Sequence, residues 1–258
     1  MALIHIDHVP ETVKVNLPLN LIVPEPGMMQ DVAVRERRVL YLLHGLSDDA
    51  SAWQRFTSIE TYARPYGLVV VMPSGGRSFY LDQPNGQAYF TYLTDELPRY
   101  LEQVFGIVPR RETTLIAGNS MGGYGAMKAA LLHPDRYFAA ASFSGVLSLA
   151  IMSMMPDDPR KAEFAQLFGD LEKLIGSEHD PAVWLQRAVD ARVTLPKLFV
   201  ACARQEDIYP LSLMFTESCR TRGIEVDYHE EDGQHDWLFW DRQIHRFLIL
   251  ALGPAEAQ

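Results

Sequence analysis

The sequence predicts an α/β architecture, a mostly parallel central sheet covered by helices on both faces. Three observations predict it. From residue 37 onward, short apolar runs alternate with helical patterns, as in strands joined by helical crossovers. An apolar run, a Gly-x-Ser-x-Gly pentapeptide and a small-residue helix follow one another between Thr113 and Leu132. With 258 residues, 48% of them hydrophobic, the chain can bury one large core, so one domain over 1–258 is expected.

The first strands are expected near 3–8 and 12–22. Pro18, Pro24, Pro26 and Gly27 bound them, which suits an antiparallel N-terminal edge. A buried-type strand at 37–43 runs directly into the turn His44-Gly45-Leu46-Ser47-Asp48-Asp49. A helix near 57–64 and a strand at 68–72 follow, then a polar, aromatic loop from Ser74 to Tyr89 and a helix near 91–105. Thr113 to Ala117 reads as a strand, and the helix after the pentapeptide ends near His133-Pro134. A strand near 138–143 precedes a small helical, lid-like insertion at about 147–192. Pro196 to Ala203 and the run ending Val226-Asp227-Tyr228-His229 complete the strands.

The chemistry begins at Gly118-Asn119-Ser120-Met121-Gly122. Strand, pentapeptide and helix together describe the nucleophile elbow of an α/β-hydrolase fold, with Ser120 lifted above the sheet on a strained turn. A serine needs a base, and His235 lies in the Gly-containing loop after the last strand. Imidazole can take and return a proton near neutral pH. Surface or structural roles are the ordinary explanation for His5, His8, His133, His179, His229 and His245, and His44 reads as loop-shaping. The acid should leave the strand ending at Ala203, where Glu206 and Asp207 both qualify on chemistry. Adjacent residues point in different directions, so only one can reach His235, and Asp207 is favoured. The order Ser120, Asp207, His235 is that of the α/β-hydrolases. Gly45 lets the chain bend so that the Leu46 amide faces the reaction centre, and the Met121 amide completes an oxyanion hole.

These stretches resemble the small bacterial carboxylesterases of the tributyrin-esterase type, within the esterase D and S-formylglutathione hydrolase group. The resemblance covers residues 10–250. It is carried by Tyr41 to Ser47 with Trp53, Glu96-Leu97-Pro98, Gly118 to Gly125, Glu206 to Tyr209, and Gly233 to Trp240. It implies a cofactor-free serine carboxylesterase for short acyl esters, acetyl to butyryl, with Asp207 as the acid and the Leu46 and Met121 amides as oxyanion donors. An S-formylglutathione-type thioesterase or a feruloyl esterase would use the same triad. A non-catalytic binding protein of the same fold is the rival from another class, disfavoured because all three triad types occupy their expected places. Asn119 departs from the Leu, Phe or His frequent there in relatives, which bears on substrate detail.

Composition narrows the rest. A formal net charge of −10 argues against nucleic acid or an anionic membrane as partner. The basic clusters Arg35-Glu36-Arg37-Arg38 and Arg110-Arg111 read as solvated loops before strands. The Met1 to Asp7 start lacks a basic and an apolar signal region, and Cys202 and Cys219 suit reduced structural thiols, so a cytoplasmic location is expected. Tyr137 to Pro156 is long and uncharged, but its serines and Gly145 favour a core strand plus loop over a membrane span. No metal or nucleotide motif is present. Met152, Met154 and Met155 are candidates for an acyl pocket and Trp53, Trp237 and Trp240 for its walls, with core packing the ordinary alternative. The number of subunits is left open.

Overall fold

The computed structural model describes residues 1–28, 33, 36–154 and 158–255. Among the described residues, eight strands form one sheet: β1 (Ala2–His8), β2 (Leu17–Val23), β3 (Val39–Leu43), β4 (Val69–Pro73), β5 (Thr114–Asn119), β6 (Ala139–Phe143), β7 (Lys197–Ala203) and β8 (Asp227–Glu231). Their order is β1-β2-β4-β3-β5-β6-β7-β8. β1 pairs antiparallel with β2, and β2 antiparallel with β4, while every later pairing is parallel. This is the α/β-hydrolase frame with its antiparallel N-terminal edge. Boundaries move by a few residues, most for β2, which starts at Leu17 because Val13 and Lys14 close a turn onto the Pro10 carbonyl.

The helices are α1 (Ala52–Phe56), α2 (Ile59–Ala63), α3 (Tyr89–Thr91), α4 (Leu97–Phe105), α5 (Met121–Leu132), α6 (Ala150–Met154), α7 (Lys161–Phe168), α8 (Pro181–Asp190), α9 (Tyr209–Thr221) and α10 (Trp237–Leu252). A π turn over Tyr92–Glu96 joins α3 to α4. The central strands are buried on both faces and their side chains alternate between two cores. Val39, Tyr41 and Leu43 pack on one face with Leu97, Leu101, Tyr124 and Trp184. Leu40 and Leu42 pack on the other with Trp53, Ile59, Phe239 and Phe247. Between β6 and β7 run α6, α7 and α8. No helix among the described residues is long and apolar enough to cross a membrane.

The loop expected from Ser74 to Tyr89 has an interior segment: Ser78, Phe79, Tyr80 and Leu81 are buried. Tyr80 is wedged between Gly75 and Gly125, where a Cβ would come within 2.5 and 2.6 Å of its ring. Its hydroxyl accepts from the His44 N–H at 3.1 Å and donates to the His44 carbonyl at 3.3 Å. The His44 Nε2 accepts from the Gly75 amide at 2.8 Å, so Nδ1 carries the proton and donates to the Gly45 carbonyl at 2.7 Å. Both ring nitrogens are thus committed to shaping the loop after β3. Burial, more than any neighbour, lowers the His44 pKa to about 4.

Two measurements check this frame. The unfolded chain protonates His44 near the ordinary 6.5 and the folded chain at about 4. Its contribution is therefore fully present above pH 6.5 and is lost as pH falls through 4, with a ceiling of about 3 kcal/mol. Urea unfolding at pH 7 and 4.5 is expected to show a smaller pH dependence in His44→Gln than in the wild type; equal dependence would place the acid sensitivity elsewhere. At Gly122 an added Cβ would sit 2.4 Å from the Leu43 carbonyl oxygen. Gly122→Ala is expected to cost at least ~2 kcal/mol in the same assay, whereas Gly27→Ala, with open space around it, should stay within about 0.5 kcal/mol.

Candidate functional site

The site lies at the C-terminal ends of the parallel strands, where four loops converge. Ser120 follows β5 and caps α5 with φ 52° and ψ −119°, backbone that a non-glycine residue rarely adopts. The turn is held because the Ser120 amide donates to the Phe143 carbonyl at 2.9 Å and the Ser120 carbonyl accepts from Tyr124 at 3.1 Å. Gly118 and Gly122 face each other across it, and a Cβ on Gly118 would lie 2.4 Å from the Gly122 backbone. Van der Waals exclusion therefore demands both glycines of the pentapeptide.

The loop after β7 carries the acid. The Glu206 amide donates back to the Ala203 carbonyl at 3.3 Å, closing a reverse turn that points the Glu206 side chain inward. Its Oε2 accepts from the His235 Nδ1–H at 2.6 Å. Its Oε1 accepts from the Ser144 hydroxyl at 2.6 Å and the Ala203 amide at 3.0 Å. The Glu206 side chain is fully buried, while 41% of the His235 side chain remains exposed toward the cavity. The expectation for Asp207 is therefore corrected: the carboxylate bonded to His235 is Glu206. The turn directs Asp207 outward, where it lies exposed on the cavity wall without a bond to His235.

The histidine loop docks on the acid loop. Gln205 Oε1 accepts from the Gly233 amide at 2.6 Å, and Arg204 pairs with Glu230 at 3.0 Å and Asp232 at 2.9 Å. Asp236 caps α10 by accepting from the Phe239 amide at 2.9 Å, which fixes where His235 leaves the loop. The Trp240 ring meets the His235 ring edge-on at 5.0 Å, and its Nε1 donates to the Ser144 hydroxyl at 3.1 Å. Ser144 itself has φ 49°. Burial first, and the Glu206 charge next, push the neighbouring Cys202 up to about 12, so it remains a thiol.

Ser120, His235 and Glu206 line one cavity of about 320 Å³, together with Leu46, Phe79, Val146, Met152 and Phe164. Leu46 lines this cavity, and Met121 is the residue after Ser120. The Leu46 carbonyl accepts from Arg77 at 3.4 Å, and Met121 opens α5, where first-turn amides lack an intrahelical acceptor. Of the three methionines singled out, Met152 lines the cavity. The Met154 side chain and all of Met155 lie outside the described residues. Trp53 is core, donating to the Leu43 carbonyl at 2.9 Å, and Trp240 stands behind His235 instead of on the cavity wall. Sequence reasoning missed Ser144, although its position at the end of β6 beside Gly145 was a visible signal. It also missed Phe79, which lies in the stretch that reads as a polar, aromatic loop. Among the described residues no group of three metal-ligating side chains occurs.

Known proteins resemble this chain over most of its length. Residues 26–250 match the model of the Putative esterase family. Over 254 residues the chain is 31% identical to an acetyl esterase of Caldicellulosiruptor saccharolyticus, covering 95% of this chain and 96% of that protein. FphF, a fluorophosphonate-binding serine hydrolase of Staphylococcus aureus, superposes with a TM-score of 0.87 at 32% identity, over 97% of this chain and 98% of that one. S-formylglutathione hydrolase (FrmB) of Staphylococcus aureus gives 0.86 at 32% identity with the same coverage. These matches agree with the resemblance to the esterase D group. With an α/β-hydrolase sheet and a strained serine elbow beside a carboxylate-bonded histidine, the chain belongs to the Putative esterase family and is a carboxylic ester hydrolase.

Proposed function

We propose that the protein is a serine carboxylesterase acting on short acyl esters, with Ser120 as nucleophile, His235 as base and Glu206 as the acid. The observation that carries the reading is the 2.6 Å bond from His235 Nδ1 to a buried carboxylate. It fixes the tautomer that leaves Nε2 free to accept the Ser120 proton. Ser120 attacks the ester carbonyl, the oxyanion is held by the Leu46 and Met121 amides at the α5 N-terminus, and His235 protonates the departing alcohol. Water activated by His235 then releases the acid and restores Ser120. The Glu206 charge stabilises the imidazolium formed at each step. Its second oxygen is already saturated by Ser144 and Ala203, so the carboxylate cannot swing away.

The apolar lining, with Phe79, Val146, Met152 and Phe164, suits an acyl chain, and about 320 Å³ is at the small end for a ligand pocket. A second reading, thioesterase action on S-formylglutathione, draws on the FrmB relative and on Lys161 at the cavity, the Arg160 guanidinium there being already paired with Asp158 at 2.7 Å. The Lys161 cation suits an anionic leaving group. Turnover of S-formylglutathione beside p-nitrophenyl acetate separates the two. A cytoplasmic location is part of the proposal, resting on the two free, buried cysteines.

The acid is tested by ranking substitutions. Glu206→Gln is expected to lower kcat by up to ~10⁴ through loss of the His235 tautomer, with Asp207→Asn within about tenfold of wild type. The reverse ranking would return the role to Asp207. Acyl size is tested with p-nitrophenyl esters. Each buried methylene contributes about 0.8 kcal/mol until the pocket is full, after which strain exceeds the gain. The kcat/KM is therefore expected to peak at or below about four acyl carbons and to fall at least tenfold by eight. A steady rise to octanoate would show a longer acyl tunnel.

A further inference from the structure

At the opposite end of the sheet, the N-terminal ends of β3 and β5 open onto a groove of about 690 Å³. It gathers Arg99 from α4, Arg110 and Arg111 from the turn entering β5, and Arg136 from the turn before β6. The Arg110-Arg111 pair thus does more than precede a strand, because it meets two further arginines, one from α4 and one from the turn before β6. Two of the four guanidiniums are held in place. Arg111 donates to the carbonyls of Thr194 at 3.1 Å and Leu195 at 3.4 Å, and Arg136 donates to Asp95 at 2.8 Å. The other two are exposed: Arg99 uses only its Nε, toward the Asp95 carbonyl at 3.1 Å, and the Arg110 side chain has no hydrogen bond or ion pair among the described residues.

A second observation lies at the groove's floor. Tyr41 and Thr114 line it, are only 2% and 1% exposed, and their hydroxyls have no hydrogen-bond partner among the described residues. Buried hydroxyls are ordinarily satisfied, so an unmade bond here calls for an acceptor. Two carboxylates, Asp95 and Asp135, share the groove with the four guanidiniums. The local balance is therefore doubly positive in a chain whose formal net charge is −10. A carboxylate ligand would leave one of those charges unmet, whereas a dianion meets both. Arginine forks match the paired oxygens of phosphate, and hydroxyl donors suit a third oxygen.

We propose that this groove binds a small molecule carrying a dianionic phosphate group. It is separate from the ester site: Thr114 begins β5 and Ser120 follows its end, a distance of about 20 Å at ~3.3 Å per residue. The groove is also roomier than the catalytic cavity, enough for a phosphate with a sugar-sized body attached.

Thermal unfolding of the whole protein tests this without reference to esterase activity. Glucose 6-phosphate and inorganic phosphate are titrated separately, each against sodium chloride at matched ionic strength. A saturable rise of roughly 3 °C in Tm is expected at about tenfold over Kd. The rise should be lost in Arg99→Gln/Arg110→Gln, whose exposed side chains leave the fold intact, and kept in Arg220→Gln, a remote arginine on α9. A larger rise with glucose 6-phosphate identifies a phosphate ester as the ligand, and equal rises identify free phosphate. Glucose 6-phosphate should also fail to raise the KM for p-nitrophenyl acetate. A rise no greater than that of sodium chloride, or one undiminished in the double variant, would overturn the proposal.

Discussion

The close approach of α5 to the central strands is the constraint on which the site depends. Gly122 lies so near the Leu43 and His44 carbonyls, and Gly118 so near Gly122, that neither position has room for a Cβ. This contact sets the depth at which α5 sits and forces Ser120 into positive φ. It also brings the end of β3 beside the end of β5, so that the loop after His44 borders the same space as the serine. A looser packing would relax the Ser120 backbone. Backbone strain at one residue is sustained here by dense contact around it.

A second set of bonds orients the remaining groups. Trp240, Ser144, Glu206 and His235 form a relay of hydrogen bonds running from α10 through β6 and the β7 loop to the cavity. Each member satisfies the next, and the carboxylate at its centre has no exposed side-chain surface. A buried charge is tolerated only when hydrogen-bonded on all sides. That requirement explains why a serine with φ 49° stands at the end of β6: its hydroxyl must donate to Glu206 while accepting from the indole. Leu46, Phe79, Val146, Met152 and Phe164 make much of the lining apolar, and the cations Arg160 and Lys161 are confined to the part contributed by α7 and the turn before it.

His44 and Tyr80 show how the same fold shapes a loop without placing a charge in it. Tyr80 fills the gap between Gly75 and Gly125 and grips both backbone groups of His44, whose ring in turn grips Gly45 and Gly75. The imidazole is neutral because it is buried, and it is useful because it is neutral: a hydrogen-bond acceptor at Nε2 exists only in the uncharged ring.

Local sequence determined much of this protein. The pentapeptide around Ser120, the apolar runs of β3 to β7 and the Gly-containing loop holding His235 all follow from short-range rules of sterics and periodicity. So does the antiparallel edge, signalled by prolines. The choice between Glu206 and Asp207 did not follow, because the two are neighbours of like chemistry. The reverse turn onto Ala203, together with the burial of Ser144 and Trp240 behind it, decides which one faces inward. Ser74 to Tyr89 reads as a polar, aromatic loop, yet Phe79 and Tyr80 are buried in the core, Tyr80 because Gly75 within the loop and Gly125 on α5 make room for it. The arginines at 99, 110, 111 and 136 look scattered along the chain and become one groove when β3, β5 and β6 align. Sequence fixes what a residue can do and how its immediate backbone runs. Which distant groups it meets is set by packing, and that is decided only when the whole sheet has formed.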